Sequence, residues 1–111
     1  MIKSADPSLM KAVSQSTCRA FLEAEIRLPG DIRRAISAAR DAETDTIARG
    51  ELQNILANID RAEEMKLPIC QDTGVPVVYI TLPPEIPLDQ GLYDAVAEGV
   101  RQATAAVPMR P

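Results

Sequence analysis

One stretch, Leu67-Pro68-Ile69-Cys70-Gln71-Asp72-Thr73-Gly74-Val75-Pro76-Val77-Val78-Tyr79, divides this chain and constrains its fold more than any other. Before it, every apolar pattern has helical spacing. After it come one β-branched run and one further helical pattern. Pro68 disfavours helical backbone at Leu67, so the preceding helix is expected to end near Met65 or Lys66. Thr73-Gly74 is expected to turn the chain, with Gly74 free to take positive φ. A thiol, an amide and a carboxylate are then carried on a tight helix-to-strand connection. Such a connection is a stiff mount for a metal or a small ligand.

The first helix is expected to start at Asp6-Pro7, where Asp6 caps and Pro7 suits the first helical position. Leu9, Met10, Val13, Thr17, Ala20, Phe21 and Ala24 recur at three- and four-residue steps. Leu28-Pro29-Gly30 ends that pattern. A second helix is expected from about Asp31, with Ile32, Ala35, Ile36 and Ala39 on its stripe, leaving Arg33, Arg34, Arg40 and Asp41 as solvated charges. Thr44 is the expected cap of a third helix, supported by Asp45 at the positive end of the helix dipole. Its stripe is Ile47, Leu52, Ile55, Leu56, Ile59 and Ala62. Gly50 inside it costs about 1 kcal/mol relative to Ala, a cost that a close backbone approach would explain.

Val75 to Leu82 has the composition of a strand, with Val77, Tyr79 and Thr81 on one face and Val78, Ile80 and Leu82 on the other. Pro83-Pro84 and Pro87 then break the chain. A last helix is expected from Asp89 to Ala106, with Leu92, Val96, Val100 and Ala103 inward. The resulting expectation is an α+β fold, predominantly α-helical, with about four helices and one main strand. A single strand leaves its ladder donors and acceptors unpaired. The missing partner is expected near Lys66 to Ile69, in a second copy, or in polypeptide beyond Pro111. The abrupt end on Arg110-Pro111 favours an incomplete chain.

The 111 residues suit one modest domain. Aromatics are 3%, so Leu, Ile, Val, Ala and Met must build the core. A net charge of −4 without a Lys/Arg cluster argues against nucleic acid. No apolar run approaches the roughly 18 residues of a membrane span, and the N-terminus lacks a secretory pattern. Cys18 and Cys70 read as reduced thiols of a cytoplasmic protein. The chain has no His, which removes Ser-His and Cys-His pairs and the commonest general base.

Two readings of the central stretch stay open on the residues alone. In one, Cys70 is a small buried residue followed by a polar turn. In the other, Cys70 is a thiolate ligand to a soft metal or an iron–sulfur cluster. Cys18 lies mid-helix and has no ligand spacing to Cys70.

The run Asn54-Ile55-Leu56-Ala57-Asn58-Ile59-Asp60-Arg61-Ala62-Glu63-Glu64, then Pro68-Ile69-Cys70-Gln71-Asp72-Thr73-Gly74 and a Val-rich segment, resembles the iron–sulfur hydro-lyases. These are the class I fumarate hydratases and L-tartrate dehydratases, specifically their α subunit or N-terminal catalytic region. The resemblance continues more loosely through Glu98-Gly99-Val100-Arg101-Gln102-Ala103-Thr104 to Met109-Arg110-Pro111. It implies a [4Fe-4S] cluster held by three Cys with one iron open to substrate, and Cys70 matches the first ligand. It further implies that Gln71 and Asp72 line a dicarboxylate site, Asp72 near the hydroxyl that leaves as water, and that Arg110 pairs with a substrate carboxylate. The remaining cluster cysteines, the other substrate arginines and the base are not in this sequence. The chain is therefore expected to be the incomplete N-terminal part, residues 1–111, of a hydro-lyase α-type catalytic domain. On that expectation it carries no cluster and no activity alone, and it is completed by the rest of the α region and a β subunit or domain. Self-association is also expected, and the competing reading is a non-catalytic helical interaction or dimerisation module.

Overall fold

The computed structural model describes residues 6–72 and 74–109. It contains α1 (Pro7–Ile26), α2 (Gly30–Ala42), α3 (Thr46–Met65) and α4 (Gln90–Ala106), in two compact units. One unit is Glu23–Gln71, holding the end of α1 with α2 and α3. The other joins the segment up to Leu22 with the segment from Asp72.

In the Glu23–Gln71 unit, α3 packs on α2 and buries Leu56, Ile59 and Ala62. The stripe read from the sequence holds at Leu56, Ile59 and Ala62, whereas Ile47 and Ile55 are exposed. Two expected solvated charges are instead half-buried and engaged. Arg33 pairs with Asp60, and Arg40 donates to Gln53 (2.8 Å) and Ser37 (3.1 Å) while pairing with Asp41. The cap of α3 is Asp45, not Thr44. Asp45 Oδ2 accepts from the Ala48 amide at 2.8 Å, while the Thr44 amide itself donates to Glu43. Nothing lies within 4 Å of a Cβ placed on Gly50, so no backbone approaches there.

In the other unit, Ser8 donates from both its amide (2.8 Å) and its hydroxyl (2.7 Å) to Asp6 at the head of α1, as the Asp-Pro start requires. Asp89 caps α4 by accepting from the Leu92 amide at 3.1 Å. Helix α4 buries Leu92, Ala95, Gly99 and Ala103, while Val96 and Val100 are only half-buried. The close approach lies at Gly99, which meets Ser14 and Thr17 of α1. Both hydroxyls are buried without penalty, since Thr17 Oγ1 donates to the Val13 carbonyl (2.8 Å) and Ser14 Oγ to that of Lys11 (3.1 Å).

The expected main strand is absent: among the described residues there is no strand, and the fold is all-helical, not α+β. A ladder needs a second strand. The local candidate, Lys66 to Ile69, spends its amides elsewhere, with Leu67 N–H on the Ala62 carbonyl and Ile69 N–H on that of Glu25. Pro76 and Pro83 remove donors as well. The period-two pattern nonetheless survives as a difference in exposure. Val75 (88%) and Tyr79 (92%) face solvent, whereas Val78 (40%) and Ile80 (45%) are less exposed and line a cavity of about 560 Å³ with Leu92, Val96 and Val100.

Candidate functional site

The Cys70 loop starts where α3 stops. Lys66 takes the left-handed conformation (φ 54°, ψ 45°), and its amide bonds the Glu63 carbonyl while the Leu67 amide bonds that of Ala62 at 3.0 Å. This paired arrangement is a Schellman ending. The helix therefore ends at Met65, as the sequence led one to expect. The ending is completed by Lys66 in a conformation that costs a non-glycine residue energy, a feature Pro68 alone did not foretell.

Pro68 next fixes its own φ near −65°. Ile69 is then held at both backbone groups: its N–H donates to the Glu25 carbonyl at 2.9 Å, and its carbonyl accepts from Asn58 Nδ2 at 2.8 Å. Asn58 sits on α3 and Glu25 near the end of α1. The end of α1 is tied to α3 once more through Arg27, which pairs with Glu23 and Glu63 at 3.0 Å each. The Glu23 carboxylate, followed by that of Glu63, raises the Arg27 guanidinium above its ordinary value. Every peptide from Lys66 to Ile69 is thus restrained by a hydrogen bond or a ring.

At the end of this restrained run Cys70 is exposed, as are Gln71 and Asp72. The reading of Cys70 as a small buried residue does not survive, and both cysteines are free thiols. Cys18 is half-buried within α1. The expected turn partner Thr73 and the expected substrate arginine Arg110 lie outside the described residues. Gly74 does not adopt positive φ, and no described glycine does. The apolar cavity beneath Val78 and Ile80 contains none of Cys70, Gln71 and Asp72. Asn58 is the one site-associated side chain that the sequence reading left without a role. Its sequence signals were its place in the run from Asn54 to Glu64 and its position as a polar residue between Ile55 and Ile59.

Among the described residues no group of three His, Cys, Asp or Glu is placed to hold a metal ion. The donor set here suits one corner of a thiolate-held cluster, not the whole of it.

A family model described as fumarate hydratase (Fumerase) matches residues 14–111. A candidate L(+)-tartrate dehydratase subunit alpha from Methanocaldococcus jannaschii is 37% identical over 101 residues, covering 89% of this chain and 35% of that protein. A candidate class I fumarate hydratase from Geobacillus stearothermophilus is 36% identical over 103 residues, covering 92% and 20% respectively. The L(+)-tartrate dehydratase subunit alpha of Escherichia coli K12 is 27% identical over 84 residues, 76% of this chain and 28% of that subunit. The chain thus spans about a third or less of the length of these relatives.

Proposed function

Because the chain belongs to the fumarate hydratase (Fumerase) family of hydro-lyases, we propose that it forms part of the site that adds or removes water on a four-carbon dicarboxylate. Fumarate with malate, and tartrate with oxaloacetate, are the substrate pairs in question. The observation that carries this reading is the exposed Cys70 thiol at the end of a restrained loop, followed at once by exposed Gln71 and Asp72.

Cys70 would hold one iron of a [4Fe-4S] cluster as thiolate, the remaining ligands coming from the rest of the α region. When bound, such a cluster supplies an open iron as Lewis acid for the carbon–oxygen bond. Gln71 offers an amide that both donates and accepts, suited to a substrate carboxylate or hydroxyl. Asp72 would pass a proton from its carboxyl oxygen to the hydroxyl that departs as water. Arg110 would grip a substrate carboxylate with its two-pronged guanidinium.

By itself this chain would be inactive, and a β subunit or domain would supply the base. Its exposed apolar row of Val75, Val77 and Tyr79 supports coverage by further polypeptide or by a second copy. Anaerobic reconstitution with ferrous iron and sulfide tests the reading. The complete subunit should take up four irons and the isolated chain none, whereas a full complement on the isolated chain would refute it.

A further inference from the structure

We infer that Asn58 is a positioning residue, whose amide holds the peptide that carries Cys70 and so fixes the direction from which the thiol leaves the backbone. This rests on the reading of Cys70 as an iron ligand given above. The Ile69 carbonyl that Asn58 grips belongs to the same planar unit as the Cys70 amide nitrogen and Cα. Holding that carbonyl orients the whole plane. The preceding plane, between Pro68 and Ile69, is held independently by the bond from Ile69 N–H to the Glu25 carbonyl. With two successive planes fixed, only Cys70's own φ and χ1 remain to aim the sulfur.

Asn58 is exposed, and the bond it makes contributes little to overall stability. Asn is also a poorer helix former than Ala. Replacing it with Ala should therefore leave global stability unchanged or slightly raised while loosening the loop. A residue that merely supported the fold would produce the opposite pattern. Groups that orient a metal ligand act in this way, and losing them typically costs about tenfold or more in metal affinity.

The test uses Asn58→Ala and Asn58→Asp; the second keeps the volume but cannot donate when ionised. On this chain, hydrogen exchange should show the Ile69 amide opening about three- to tenfold faster in both variants. The amides of Leu56 and Ile59 should be unchanged and the melting temperature not lowered. In the complete subunit, reconstituted with ferrous iron and sulfide, the visible cluster absorption should decay under a chelator about tenfold faster than in the wild type. Cys70→Ser serves as the control. If Cys70→Ser abolishes the absorption while both Asn58 variants keep the wild-type decay, the positioning role is overturned and the ligand role stands. If Cys70→Ser leaves the absorption intact, the ligand reading itself fails, and the positioning role falls with it.

Discussion

A Cβ placed on Gly99 of α4 would sit 2.5 Å from the carbonyl oxygen of Ser14 in α1, and 2.6 Å from the Thr17 Cβ. Only a hydrogen fits between the two helices at that point. The obstacle is backbone, which cannot turn aside as a long side chain does. Gly99→Ala should therefore force α1 and α4 apart, an overpacking cost of about 1–3 kcal/mol that exceeds the roughly 1 kcal/mol of helix propensity gained. Gly50 is the counterpart, with nothing within 4 Å of its added Cβ. Gly50→Ala should gain about 1 kcal/mol. Denaturant melts of the two variants check the pair, and shifts of the same sign would contradict the packing described.

The start of α3 depends on Asp45. Removing its bond to the Ala48 amide with Asp45→Ala should cost about 1 kcal/mol, whereas Thr44→Ala should change stability by a few tenths at most. Equal losses at the two positions would restore Thr44 as the cap.

At the head of α1, the Ser8 hydroxyl, and after it the Ser8 amide, lower the Asp6 carboxyl below its ordinary value. The charged form is the one the folded helix prefers. Its contribution is therefore complete above the ordinary carboxylate pKa of about 4, and it disappears as pH falls through the depressed folded value. Helical chemical shifts at Ser8 to Met10 should collapse over that acid range. In Asp6→Asn the step should vanish, and a step that persists there would assign it to another group.

Cys70 is exposed and Cys18 half-buried, so an alkylating reagent should label Cys70 first. Cys70→Ser should alter folding stability by no more than about 0.5 kcal/mol, the usual range for an exposed position. If the proposed function holds, the same substitution in the complete subunit should remove the absorption of an iron–sulfur cluster. A variant that melts much earlier would show that the sulfur belongs to the packing and not to a metal.

The features legible in the residues are those whose causes lie within one turn of chain. Asp6-Pro7 starts α1, Pro29 separates α1 from α2, α3 ends at Met65 just before Leu67-Pro68, and Asp89 caps α4. Caps, prolines and apolar spacing act over three or four residues, so they can be read in order along the chain. The β-branched run at Val75 misled because strand composition describes a willingness to pair, while a strand exists only where a distant ladder partner arrives. The close approach expected at Gly50 falls at Gly99 for a similar reason. Gly50 and Gly99 are both helical in sequence context, and only the packing of α4 on α1 decides which one a neighbouring backbone touches. The exposure of Cys70 and the grip of Asn58 on Ile69 likewise arise from bringing the end of α1, the middle of α3 and the loop together in space. No pattern along the chain encodes that meeting, because each of the three segments would look the same if the others were elsewhere.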